Sequence, residues 1–276
     1  MFIFKLIRYA MEMQLVIFLS LYCKLFNINK SSHQIGLLAR KYGPKLGISK
    51  RANQNLKNAL PSLNNEERSE IIKGMWENLG RTAAEFFSIK TLIKERERIN
   101  IKGIEILKDN IDNGVIYVSA HMANWEVIPI AIKYTDKKIG AVFRESNNYF
   151  FNKWMIKKRK LITEHQFPKG PSGVKEILNF LRNKGSIAML VDQKLSNGVK
   201  VEFFGQNAMT ASTPAALSLK YGYPVIPLRV KRRDNVNFEI EFFEKIVIDK
   251  TGDLEIDTLA FTREINLFLE KIIKDN

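Results

Sequence analysis

The segment Val115-Ile116-Tyr117-Val118-Ser119-Ala120-His121-Met122-Ala123-Asn124-Trp125-Glu126 marks a change of period in the chain. Its first six residues form a short apolar, β-branched run of the buried-strand kind, and a helical pattern follows from Asn124 to about Tyr134. On the C-terminal side, strands are expected at Ile139 to Phe143, Ser186 to Val191, Val225 to Val230 and Phe238 to Ile248. Helices are expected near 149 to 160, 172 to 184, 212 to 221 and 257 to 273. On the N-terminal side, 49 to 60 and 65 to 90 read as helices, punctuated by Pro61 and Ser62. Such alternation predicts an α/β fold. Open α/β sheets carry their reactive groups at the carboxyl ends of strands, so chemistry is sought just after Ala120, Phe143 and Val191.

His121 and Glu126 fall after the first of these strands. Five helical steps of about 100° leave two side chains about 140° apart, so the pair cannot share a helix face. They can meet if His121 lies in the turn, Asn124 caps the helix and Glu126 sits in its first turn, where a carboxylate suits the dipole. Glu126 would then orient the imidazole while its other nitrogen takes a proton from a hydroxyl. A loop histidine beside a capping glutamate fits the same spacing, and the residues alone leave both readings open. His33 and His165 have no carboxylate at useful spacing and are taken as surface residues. No Gly-x-Ser-x-Gly, Gly-x-Gly-x-x-Gly or P-loop pattern occurs. One cysteine, Cys23, excludes a disulfide framework and a Cys-based zinc site, and no metal or cofactor is expected.

The 276 residues carry 44 Lys and Arg against 29 Asp and Glu, a net charge of +15 that asks for an anionic partner. Apolar residues make up 45% of the chain, enough for a packed core, which excludes disorder as its main state. The charge is concentrated. Residues 1 to 60 hold ten Lys and Arg against the single acid Glu12, and they also hold the most apolar segment, Phe2 to Phe26. Lys5, Arg8, Glu12 and Gln14 interrupt that segment, whose longest clean run, Leu15 to Cys23, is nine residues. Residues 1 to 27 are therefore read as a membrane-associated helix lying in the interface, with a tilted span and a buried core helix as the alternatives. A cleavable signal peptide is disfavoured because Lys24, Leu25 and Phe26 follow Cys23 where a small-residue cleavage pattern would stand. Residues 28 to 276 form the second domain. Nucleic-acid binding has the charge behind it but neither a helix-turn-helix nor an RNA-recognition pattern.

Several separated motifs stand in a fixed order. They are Asn55-Leu56-Lys57-Asn58-Ala59-Leu60-Pro61, Asn78-Leu79-Gly80 with Glu85, Ser119 to Glu126, and Val142-Phe143-Arg144 followed by Asn148. Arg159, Asp192-Gln193, Phe203-Phe204-Gly205 and the stretch Thr210 to Pro227 complete the series. Together they resemble the late acyltransferases of lipid A biosynthesis, of the lauroyl/myristoyl type, which belong with the wider glycerolipid acyltransferases sharing an H-x4-D/E motif. The likeness covers Asn55 to about Ile272. Two positions depart from the family pattern: Glu145 stands in place of a proline, and Tyr149 rather than proline follows Asn148.

The resemblance implies a mixed central sheet flanked by helices and an acyltransferase at the cytoplasmic face of a bacterial inner membrane. It implies transfer of a fatty acyl chain from acyl-acyl-carrier protein to a hydroxyl of a phosphorylated lipid A precursor, without a covalent acyl-enzyme. His121 would be the general base and Glu126 its orienter. Arg144 and Arg159 would clamp acceptor phosphates, Asn148 and Gln193 would line the substrate site, and Asp192 would organise it. The basic residues Arg229, Lys231, Arg232 and Arg233 would face the acidic carrier protein. The same chemistry on lysophosphatidate or a glycolipid, and a non-catalytic basic peripheral membrane protein, are the competing readings.

Overall fold

The computed structural model describes residues 2–109, 113–135, 137–143, 145–168 and 170–275. The chain opens with five helices, α1 (Phe2–Leu25), α2 (Ile28–Tyr42), α3 (Ile48–Ala59), α4 (Asn65–Phe87) and α5 (Ile89–Lys94). It continues through β1 (Ile99–Lys102), α6 (Ile104–Asp109), β2 (Ile116–Ser119), α7 (Val127–Lys133), β3 (Ile139–Phe143), α8 (Tyr149–Arg159), β4 (His165–Pro168), α9 (Pro171–Arg182) and β5 (Ser186–Leu190). A hairpin of β6 (Val199–Phe203) and β7 (Gln206–Thr210) precedes α10 (Thr213–Tyr221), β8 (Val225–Arg232), β9 (Phe238–Phe242) and α11 (Leu254–Lys274).

Seven strands form one sheet in the order β1-β9-β8-β2-β5-β3-β4. Every neighbouring pair is parallel except β8 with β9, so the sheet is mixed, as expected. Its centre is buried on both faces, which is why Ile116, Tyr117, Val118 and Ser119 read as a continuous rather than an alternating run. Tyr117 points into a core with α5 and α7, while Ile116 and Val118 point into a second core with α9, α10 and α11. The chain leaves β2 toward β3 through α7 and leaves β5 toward β8 through α10. The two connections thus cover opposite faces, and the switch point falls between β2 and β5.

The expected helices and central strands are present, but the helix expected from Asn124 begins at Val127, and the β6–β7 hairpin was not expected. Phe238 to Ile248 gives a strand only as far as Phe242, beyond which the chain leaves the sheet. The sheet also gains two short strands at its margins, β1 and β4, and His165 lies in β4 with its ring exposed and stacked on Phe167.

Helix α4 is fixed from both ends. Asn64 and Glu67 form a reciprocal capping box at its start. Farther along, Gly80 and Gly36 let α4 and α2 approach closely: a Cβ at Gly80 would lie 2.6 Å from Ala39 Cβ and 2.7 Å from the Ile35 carbonyl oxygen. Helix α1 packs on α4 and α8 through Tyr9, Met13, Val16, Ser20 and Cys23, a seam with alternating steps of four and three. Phe4, Ile7, Met11, Leu15, Phe18 and Leu25 lie on the opposite side and are exposed. The helix is long and apolar enough to cross a membrane by length and composition, yet one side of it is docked on the rest of the chain.

Candidate active site

Strands β2 and β5 pair in parallel with Ser119 opposite Leu190, so residues two steps beyond each strand, His121 and Asp192, emerge side by side. Asp192 accepts two hydrogen bonds from one residue: the His121 backbone N–H reaches Oδ2 at 3.0 Å, and Nδ1–H reaches Oδ1 at 2.7 Å. This pairing protonates Nδ1 and leaves the Nε2 lone pair facing outward, where the Gln193 side-chain amide stands 3.4 Å away. Trp125 packs edge-on to the imidazole with ring centroids 5.1 Å apart. A partly exposed imidazole, its tautomer fixed from behind by a carboxylate, is equipped to take a proton from a hydroxyl brought to Nε2.

Glu126 does not fill the role expected of it. It sits just before the first residue of α7 and turns away from His121 to meet Arg159, which grips it with Nη2 at 2.5 Å and Nε at 3.3 Å. Its charge is matched there by a guanidinium fork on α8. Arg159 is correspondingly engaged with a carboxylate rather than held open as a free phosphate clamp. Asn148 is also reassigned. It is buried, its Oδ1 caps α8 by accepting from Phe150 and Phe151, and its Nδ2 donates to Tyr9 O at 3.2 Å and Glu12 Oε2 at 2.8 Å. With every polar atom in use, it ties α1 to α8 and offers nothing to a substrate. Arg144 lies outside the described residues.

The turn that carries His121 is held by α4, an arrangement that periodicity gave no means of finding. Ala123 adopts a left-handed φ of 46°, uncommon for a residue with a Cβ, and its carbonyl accepts from Asn78 Nδ2 and Thr82 Oγ1, both at 2.9 Å. Asn124 Nδ2 donates to the fully buried Glu85 at 2.8 Å, while its Oδ1 accepts the Glu126 backbone N–H. Glu85 also accepts from Ser32 Oγ at 2.6 Å and is paired with Arg232 through both guanidinium nitrogens. A buried carboxylate is tolerated because it is paired and hydrogen-bonded on all sides. The motif residues Asn78 and Glu85 therefore act as the support of the histidine turn. Arg229 is likewise paired, with Glu241, so of the four residues expected to meet a carrier protein Arg229 and Arg232 are committed within the fold, whereas Arg233 pairs with Glu239 at the surface.

In front of the His121 and Asp192 pair the sheet splits. Strands β3 and β5 are paired only up to Ala141 opposite Ala188, whereas β3 continues with β4 to Phe143 and β5 continues with β2 to Leu190. A cavity of about 870 Å³ occupies the fork. His121, Glu126, Arg159 and Gln193 stand among its polar residues, and its walls are largely apolar, including Trp125, Ile128, Val142, Met189, Val191, Val174 and Ile177. Its size suits a ligand of many atoms and its walls suit a hydrocarbon. Phe203 and Phe204 are not part of it; they close the hairpin of β6 and β7 against α11, where the Phe204 N–H donates to Glu270. Among the described residues, no group of three or more His, Cys, Asp or Glu side chains is placed to hold a metal ion.

No curated protein matches the sequence. The family described as bacterial lipid A biosynthesis acyltransferase matches residues 3–276. The chain belongs to the bacterial lipid A biosynthesis acyltransferase family and is an acyltransferase.

Proposed function

We propose that this acyltransferase moves a fatty acyl chain from acyl-acyl-carrier protein to a hydroxyl of a phosphorylated lipid A precursor, with His121 as general base. The observation that carries the reading is the His121 and Asp192 pair at the mouth of the apolar cavity. The acyl chain lies in the cavity with its thioester carbonyl toward Nε2, and the acceptor hydroxyl displaces the Gln193 amide from that nitrogen. As the hydroxyl oxygen attacks the carbonyl carbon, its proton passes to Nε2, and Asp192 stabilises the imidazolium that forms. Collapse of the tetrahedral intermediate breaks the C–S bond, and the proton returns from Nε2 to the leaving thiolate. The products are an ester and a free thiol, with no acyl-enzyme. Gln193 and Arg159 line the cavity with His121, and we assign them as the donors to the developing negative charge.

The exposed apolar side of α1 supports a membrane location, which for this substrate is the cytoplasmic face of the inner membrane. Membranes from cells expressing the protein, supplied with acyl-carrier-protein thioester and a tetraacylated lipid A precursor, test the reaction. Transfer by the wild type and its loss in His121→Ala are expected. Transfer undiminished in His121→Ala would remove the proposed base, and transfer to lysophosphatidate in preference to the lipid A precursor would reassign the acceptor.

A further inference from the structure

We infer that the turn joining α2 to α3 is a second lipid-contact site, an apolar tip ringed by lysines that seats on an anionic bilayer beside α1. The inference rests on the reading of α1 as a membrane helix. Residues 28 to 60 contain seven Lys and Arg and no acid. Among the described residues only Arg40 of these has a carboxylate partner, in Glu70 and Glu77; Lys41 and Lys45 instead lie over the Tyr42 ring, each 5.5 Å from its centroid. Four large apolar side chains crowd the same turn uncovered: Leu38 is 57% exposed, Tyr42 53%, Leu46 54% and Ile48 62%.

This tip is rigid. A Cβ at Gly43 would lie 2.2 Å from the Trp76 ring, so the turn sits directly on that indole. Trp76 Nε1 donates to Ser49 Oγ at 2.9 Å, and Ser49 Oγ donates to the Gly43 carbonyl at 3.0 Å, which pins the start of α3 to the end of α2. A turn fixed in this way holds its apolar groups outward and cannot fold them back into the core. It is also continuous with α1. Leu38 and Tyr42 follow Gln34 at steps of four along one ridge of α2, and Gln34 is the residue that the Tyr22 hydroxyl of α1 meets. Unpaired lysines beside exposed Leu, Ile and Tyr match a surface that is apolar inside and anionic outside, a lipid interface.

The test uses the full-length protein and vesicles of equimolar phosphatidylethanolamine and phosphatidylglycerol, with phosphatidylcholine vesicles as the neutral control. Replacing Lys41 and Lys45 together with Gln should weaken flotation with the anionic vesicles about 25-fold, about fivefold per lysine, and leave binding to phosphatidylcholine unchanged. Leu46→Asp and Ile48→Asp should each weaken binding to both vesicle types about tenfold or more, without a change in melting temperature. An environment-sensitive dye on Leu46→Cys, in a Cys23→Ser background, should shift to the blue on the anionic vesicles. Undiminished flotation of the Asp variants, or a dye that stays in water while the protein floats, would overturn this site and leave α1 standing. Wild-type protein that does not float would remove the α1 reading and this inference with it. A dye shift that tracks protein concentration without vesicles would assign the tip to a second copy of the chain instead.

Discussion

Asp192→Asn separates the two carboxylates that compete for His121. The native carboxylate accepts both the His121 backbone N–H at 3.0 Å and Nδ1–H at 2.7 Å. An amide of the same shape has only one acceptor oxygen, so if it keeps the backbone bond, its NH2 group faces Nδ1. The imidazole must then carry its proton on Nε2, and the lone pair needed for the acceptor hydroxyl is lost. Locking the wrong tautomer in this way lowers kcat by about three to four orders of magnitude, or about 4–5.5 kcal/mol of transition-state stabilisation. Glu126→Gln keeps an oxygen toward Arg159 and does not touch the imidazole, so its kcat should stay within about tenfold of wild type. Both variants are to be compared at saturating thioester and lipid A precursor in detergent solution, with melting curves to establish that each is folded. If Asp192→Asn retains more than about a tenth of wild-type kcat while Glu126→Gln loses about three orders of magnitude, the dyad is His121 with Glu126 and the tautomer reasoning is wrong.

Gly80→Ala places a methyl group 2.6 Å from Ala39 Cβ; the overpacking cost of about 1–3 kcal/mol outweighs the gain of up to about 1 kcal/mol in helix propensity, so the denaturation midpoint should fall. A midpoint at or above wild type would show that α2 and α4 are not in close contact there. Asn148→Ala removes the cap of α8, worth about 0.5–2 kcal/mol, together with the tie to Tyr9 and Glu12. Limited proteolysis should cut α1 sooner while the KM for the lipid acceptor is unchanged, and a raised KM with unchanged proteolysis would return Asn148 to the substrate site. Asp257 accepts from the Thr251 N–H and hydroxyl, each at 2.8 Å, and from the Gly252 N–H, which hold its carboxyl below the usual carboxylate range. Because the folded-state value is the lower one, the stabilisation is complete above the unfolded value of about 3.9 and is lost as pH falls through the folded value. Asp257→Asn should therefore be less stable than wild type at neutral pH and show a shallower loss on acidification; parallel acid limbs would refute the role.

Much of the fold was legible because its signals are local. Buried parallel strands such as Ile116 to Ser119 and Ile139 to Phe143 are continuous apolar runs, and α8 and α11 carry their own caps in Asn148 and Asp253. Strands β1 and β4 were not legible. Ile99-Asn100-Ile101-Lys102 and His165-Gln166-Phe167-Pro168 are four residues each, of mixed polarity at the two sheet edges, and only pairing with β9 and β3 makes them strands. Within the site, the position of His121 followed from the strand end, but the role of Glu85 did not, since a buried glutamate on an amphipathic helix is indistinguishable by sequence from an exposed one until its partners Arg232, Asn124 and Ser32 are in place.

By itself the sequence determined the α/β alternation, the strand end that bears the histidine, and the basic, apolar character of the N-terminal sixty residues, because each is a property of neighbouring residues. The tertiary structure alone decided which carboxylate serves the histidine. Glu126 is five residues away and is paired with Arg159, whereas Asp192, 71 residues away, is brought alongside by the register of two parallel strands. That register is set by packing on both faces of the sheet, an interaction of the whole fold that no local spacing encodes.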